Sequence, residues 1–375
     1  MKKPRVLLID DDPRPALLPA SVDAVMLDTT DSKFGEVLAE NLDSASLILL
    51  DQNLDREQIL GLGTLDGASF VGNLRSWARA KDLSLPPIAI YTNEVEAFSD
   101  EIPSLGPAVP LSGSFVGREA RMAPALDVEW LIAKDEDGSL DTVSCLAAVS
   151  LELLEDAGDQ RMSFEEVEVF LRVPKEATWY DMAFNQISRW SPPISEAGNA
   201  KSGSRGATPV LRWLLHRVLP CPGLLLSDQY AAWTLGVDLD DFCRVANERV
   251  EESPALLEAR FEGLAGGLTG RRWWTAGIDF LSWKIKRDAE VAGDFARALK
   301  DNLPGEVGPL ENEDQVVVVD VDLEESGLER IEDAIQINPP GWPAEALDVW
   351  MRRDEAMNDP IARTMVDPAD LPENQ

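Results

Sequence analysis

Aspartates, a threonine and a lysine stand at the ends of four short apolar runs in the first third of the chain. Residues 6–9 run into Asp10 and Asp11, residues 47–50 into Asp51, residues 88–91 into Thr92, and residues 130–133 into Lys134. A short apolar run that ends in one chemically able side chain is the pattern of a buried strand whose carboxyl end carries function. Brought to one edge, these side chains have a specific chemistry. Clustered carboxylates repel, and a hard divalent cation relieves the repulsion; Mg²⁺ does so with oxygen ligands at about 2.0–2.1 Å. The same cation neutralises an incoming phosphoryl group while Asp51 attacks phosphorus in line. The Lys134 ammonium would pair with phosphoryl oxygens, and the Thr92 hydroxyl would donate to one of them.

For those groups to meet, the runs must be neighbours in one sheet. Residues 6–9, 24–27, 47–50, 88–91 and 130–133 read as five strands. Helical spacing covers about 33–41, 68–80 and 140–154, so strands and helices alternate. Alternation predicts an α/β fold, a doubly wound five-stranded parallel sheet over residues 1–157. Residues 158–303 read as a mainly helical, Trp-rich region, with helices over 210–219, 227–235, 239–249, 254–264 and 280–299. Residues 304–375 read as an acidic α+β segment and tail that packs on the helical region. It has one sharp strand at 315–323, a short helix near 344–353 and an extended arm from Pro360.

The runs Val6-Leu-Leu-Ile-Asp-Asp-Asp-Pro13, Leu47-Ile-Leu-Leu-Asp51, Pro87-Ile-Ala-Ile-Tyr-Thr92 and Trp130-Leu-Ile-Ala-Lys134 resemble the signatures of the receiver domain of two-component response regulators, in that family's order. Leu65-Asp66-Gly67 is similar to the Met-Asp-Gly that opens the third helix there. The resemblance implies a flavodoxin-like receiver fold and phosphorylation of Asp51 by a histidine kinase or another phosphodonor. It also implies Mg²⁺ held by Asp10, Asp11 and Asp51, with Thr92 and Tyr91 as the switch pair beside Lys134. The chain departs from the family at several points. Pro13, Pro15 and Pro19 shorten the first helix, and the stretch from Asp51 to Asp66 is longer than usual. Residues 93–127 replace the fourth helix with a Pro/Gly/Ser-rich stretch, and Asp135 stands where the family usually has proline. These departures keep a second reading open, a pseudo-receiver scaffold that is not phosphorylated.

Weaker signals each have a plain alternative. Residues 201–209, with Arg205, precede a helix and suit an anion, but Gly/Ser loops are usually only flexible. Arg271, Arg272, Trp273 and Trp274, with Lys284, Lys286 and Arg287 downstream, pair cations with aromatic faces and suit a partner contact or plain core. His216, the only histidine, reads as a packed residue rather than the base of a Cys221 nucleophile. Asp320, Asp322 and Glu324 read as the wet face of an edge strand, where inserted charges block aggregation.

Composition narrows the output. Net charge is −34, with 68 acidic against 34 basic residues. From Pro304 onward there are 19 Asp and Glu against four Arg and no Lys. Such a field argues against nucleic acid as a ligand. No apolar run approaches the roughly 20 residues needed to span a bilayer, so no membrane contact is expected. Three scattered cysteines, Cys145, Cys221 and Cys243, fit a cytoplasmic protein without a disulfide framework. The sequence therefore points to a signalling protein whose output is contact with another protein or a homodimer partner. A receiver-regulated enzyme with its active site in 158–375 stays open as an alternative.

Overall fold

The apolar runs become β1 (Arg5–Asp10), β2 (Asp23–Asp28), β3 (Leu47–Leu50), β4 (Ile88–Thr92) and β5 (Trp130–Ala133) in a computed structural model. It describes residues 2–371 apart from 13, 15–16, 55–65, 94–122, 125, 135–137, 158–161, 195–206, 311 and 313. The five strands pair in parallel in the order β2-β1-β3-β4-β5. Every residue of β3 and β4 is buried, as expected of a parallel sheet covered on both faces. Helices α1 (Phe34–Leu42), α2 (Gly67–Ala80) and α3 (Ser139–Ala157) connect and cover it. Phe34, Leu38 and Leu42 of α1 and Phe70, Val71 and Leu74 of α2 enter one core with the strands.

Helices α4 (Phe164–Leu171), α5 (Tyr180–Arg189) and α6 (Thr208–Trp213) follow, and α6 runs on as a π-helical turn, Leu214–Val218. The described residues form two compact units. One takes the chain up to Phe170 and returns for the described part of Pro192–Arg217; the other takes Leu171–Ser191 and Val218 onward.

In the first unit, α6 is pinned to the start of the edge strand β5 by buried charge. Glu129 is fully buried; its carboxylate accepts from the Ile88 N–H and, at 2.6 Å, from Arg212 Nε. Arg212 also reaches the Asp127 carboxylate at 2.6 Å, and Arg75 of α2 reaches it at 2.9 Å. His216 places a ring nitrogen 2.9 Å from the Glu129 carbonyl oxygen, and burial lowers its pKa. Its surroundings are those of a packed, hydrogen-bonded residue.

The second unit continues with β6 (Leu225–Leu226), α7 (Asp228–Leu235), α8 (Leu239–Glu248), α9 (Pro254–Ala259), β7 (Trp273–Trp274), α10 (Thr275–Ala292) and α11 (Phe295–Asn302). A four-stranded mixed sheet follows, β8 (Gln315–Val319), β9 (Glu325–Arg330), β10 (Ala334–Ile337) and β11 (Val349–Arg352), in the order β10-β11-β8-β9. Last come α12 (Arg353–Asn358) and α13 (Pro360–Met365).

Four expectations are corrected here. The single helix over 280–299 is two, because Gly293 adopts the left-handed conformation at φ +67° and Asp294 caps the next helix through Arg297 N–H. The helix near 344–353 is strand β11, whose Val349 and Met351 point inward and which is paired on both sides. The arm from Pro360 begins as a helix: Asp359 accepts from the N–H groups of Ile361 and Ala362, and Ala362 and Met365 enter the core. Asp320 and Asp322 do not line an edge strand. β8 ends at Val319, lies between β11 and β9, and Asp320 turns the chain by accepting from the N–H groups of Asp322 and Glu324 at 2.9 Å each.

A part-buried polar network joins the elements of this unit. Asp228 accepts from Arg271 at 2.9 and 2.5 Å and from Trp273 Nε1 at 2.6 Å. Ser227 caps α7 and donates to Glu325 at 2.7 Å. The Glu325 carboxylate is buried although the residue as a whole is half-exposed, and burial pushes its pKa up to about 7 against partial relief from Ser227 and Arg272. A carboxyl raised in the folded state contributes stability that is full below its unfolded pKa and lost as pH rises through the folded value. Glu325→Gln removes that loss. Compared by urea unfolding, the stability difference between the variant and the parent is expected to move in the variant's favour by about 2 kcal/mol between about pH 5 and about pH 8. A difference that does not change with pH would show that Glu325 does not titrate there.

Candidate functional site

Strand order places the carboxyl ends of β1, β3, β4 and β5 side by side, and the polar residues that end them converge. Asp10 closes β1 and Asp51 follows β3 directly. Lys134 follows β5, where its N–H donates to the Thr92 carbonyl at 2.9 Å. The Lys134 ammonium lies 2.9 Å from Asp10 Oδ2 and 3.0 Å from Asp51 Oδ1. It therefore bridges the two carboxylates, with all three side chains nearly buried. Burial disfavours the ammonium, but Asp10 and Asp51 override this and hold the Lys134 pKa above the ordinary lysine value. Burial is also the largest influence on Asp51, raising its pKa against the opposing pull of Lys134. A raised carboxyl is the more basic, and so the more nucleophilic, oxygen once it is ionised.

Asp11 completes the acidic cluster. One carboxylate oxygen each from Asp10, Asp11 and Asp51 lie within 4.8 Å of one another, a spacing that suits a divalent cation. Asp10 also turns the chain, accepting from the Asp12 N–H at 2.8 Å, and that turn sets Asp11 beside it. Thr92 is buried at the end of β4. Tyr91 is buried too: its hydroxyl donates to the Leu17 carbonyl at 2.9 Å, and its ring centroid lies 5.5 Å from the Lys134 ammonium.

Two residues hold Asp51, Gly67 at the start of α2 and Gln52 directly after Asp51 itself. Gly67 packs so close that a Cβ built on it would lie 2.2 Å from the Asp51 carbonyl oxygen, so only glycine fits. Gln52 is the residue sequence reasoning missed. Its carbonyl accepts from Gly67 N–H at 2.8 Å and its side chain from Ala68 N–H at 3.1 Å, while its own N–H donates to the Asp51 carboxylate at 2.9 Å. A polar residue directly after Asp51 was the available signal. It is weak, because such residues are common after strands.

The other sequence candidates are placed elsewhere or lie beyond description. Arg271 is tied to Asp228 and, at 2.7 Å, to Asn247; Arg272, Trp273 and Trp274 are buried in the second unit. As core residues they offer no stacking surface. Arg205, Leu65, Asp135 and most of 93–127 lie outside the described residues. Among the described residues, no helix is long and apolar enough to cross a membrane. A scan against protein-family models, a search of curated proteins and a search of solved structures each return no match.

Lys134→Ala leaves two buried carboxylates without their shared cation. The expected cost at neutral pH is about 3 kcal/mol of unfolding free energy, part of which Mg²⁺ should restore by taking the ammonium's place. Urea unfolding in Mg²⁺ and in chelator tests this; equal gains from Mg²⁺ in variant and parent would contradict it. Gly67→Ala should displace the Asp51 backbone and lower the melting temperature by several degrees, roughly the equivalent of 1–3 kcal/mol. An unchanged melting temperature would mean that α2 moves aside without cost.

Proposed function

We propose that the first unit is a receiver-like phosphoacceptor, with Asp51 the residue that takes the phosphoryl group and Asp10 and Asp11 the further ligands of Mg²⁺. The observation that carries this reading is the Lys134 ammonium within 3.0 Å of both Asp10 and Asp51 at the carboxyl edge of a five-stranded parallel sheet. An Asp51 oxygen attacks phosphorus of a phosphohistidine or a small acyl phosphate. The new O–P bond forms as the bond to the leaving group breaks, and the leaving group keeps the electron pair. Bound Mg²⁺ would supply charge neutralisation at the phosphoryl oxygens. Lys134 then exchanges one carboxylate oxygen for a phosphoryl oxygen, and the hydroxyl of Thr92, which ends β4, donates to another. The Tyr91 hydroxyl, held by the Leu17 carbonyl, is the group through which a shift of β4 would be passed to the segment after β1. The second unit is the output, acting through protein contacts.

One observation favours a second reading. Lys134 already bridges Asp10 and Asp51, so part of the cluster's negative charge is offset without a metal, which suits a phosphorylation-silent scaffold.

Intact mass after incubation with Mg²⁺ and acetyl phosphate separates the two. The phosphoacceptor reading expects one added phosphoryl mass, absent without Mg²⁺ and absent in Asp51→Ala, and a matching beryllofluoride adduct by native mass spectrometry. No adduct on the folded parent under either condition would favour the scaffold.

A further inference from the structure

An exposed aromatic residue and exposed cations of the second unit stand together on α10, a turn and more downstream of the buried Trp273 and Trp274. The inward face of α10 is formed by Ile278, Leu281, Ser282 and Ile285, all buried. Phe280, Trp283, Lys284, Arg287 and Val291 follow the spacing i, i+3, i+4, i+7, i+11 and so form a stripe on another face. Trp283 is 52 % exposed and Val291 87 %. The Phe280 and Trp283 rings stand 5.8 Å apart, and the Arg287 guanidinium lies 4.7 Å from the Trp283 ring centroid. Beside α10 packs α5, where Trp179 meets Gly277, and α5 also exposes Met182 and Phe184.

Single exposed apolar residues need no explanation, but a seam-spaced row of them is the geometry of a helix-in-groove or helix-on-helix contact. The charge on the stripe selects the occupant. Lys284 and Arg287, with Lys286 at the flank, are cations in a chain of net charge −34; Arg287 also reaches Asp288 at 3.3 Å, which leaves the rest of its guanidinium and both lysines facing the stripe's surroundings. A second copy is disfavoured, because the two-fold arrangement that sets Phe280 against Val291 also sets Lys284 against Arg287. A polyanion such as nucleic acid carries a charge about every 1.7 Å and meets the acidic field of the whole molecule. A few carboxylates at close range do not, since salt screens beyond about 8 Å.

We propose that the Phe280–Trp283–Arg287–Val291 stripe of α10 docks an amphipathic helix of a partner protein, one with large apolar residues at i, i+3/i+4, i+7 spacing flanked by Asp or Glu. The surface belongs to the second unit alone and does not depend on phosphorylation of Asp51.

The test is fluorescence anisotropy with the full chain and a labelled synthetic amphipathic helix of about four turns, its leucine row flanked by glutamate. Binding is expected that weakens in high salt and falls by roughly tenfold in Trp283→Ala and in Arg287→Glu. Both positions are exposed, so far-ultraviolet circular dichroism should be unchanged, and Val169→Ala, an exposed apolar residue of α4, should bind as the parent does. Several results would overturn the proposal. They are no binding of the glutamate peptide, equal binding of the same peptide with lysine for glutamate, and binding insensitive to both substitutions. Trp283-dependent binding only to phosphatidylserine vesicles or to single-stranded DNA would do the same, as would a Trp283-dependent dimer in sedimentation velocity.

Discussion

The ion triad of Asp10, Lys134 and Asp51 is the constraint around which the first unit is arranged. Two carboxylates and an ammonium are nearly removed from water, and each is tolerable only because the others are in place. The three belong to β1, β3 and β5, so the triad requires those strands to end at one level of one parallel sheet. It also fixes what surrounds it. Gly67 lets α2 come down onto the Asp51 backbone, and Gln52 fastens the two together. A phosphoacceptor needs this kind of support, because an in-line attack depends on the direction of one carboxylate oxygen to within a fraction of an ångström.

The same rule, charge drawn largely out of water and held by a partner, recurs elsewhere in the molecule. Glu129 is held by Arg212 at the edge of the first sheet, and Asp228 by Arg271 in the second unit. An acidic chain has few basic residues, and in these places they are used inside, joining elements distant in sequence. Glu325 is only partly compensated, by Ser227 and Arg272, and burial pushes its pKa up to about 7. Cations left at the surface therefore carry information. On α10, Lys284 and Arg287 share a stripe with Trp283 and Val291, and that pairing of charge with exposed apolar surface marks a contact.

The sequence alone made the first sheet legible. Each of its five runs was found within a residue or two; for β1, β3, β4 and β5 the reason is that a strand buried on both faces must be continuously apolar and its polar residue must stand at the end. The convergence of Asp10, Asp51 and Lys134 followed from strand alternation and from the polar residue that ends each run. Asp66 and Gly67 were legible as the start of a helix, though the sequence does not say that the glycine is there to make room for Asp51.

Tertiary structure decided the rest. Residues 349–352 have no strand signal of their own and become β11 because two neighbours offer them backbone partners. The helix expected over 280–299 breaks at Gly293, where a local left-handed conformation lets α11 pack Ala298 and Leu299 back into the core. Trp273 and Trp274 are core while Trp283 is surface, a distinction that composition cannot make since the residue type is the same. Arg212 and Glu129 meet across more than eighty residues of chain, and no spacing in the sequence records that. Local pattern is set by which backbone conformation and which face a residue prefers. Pairing between distant residues is set by how the elements pack, and that depends on the whole chain at once.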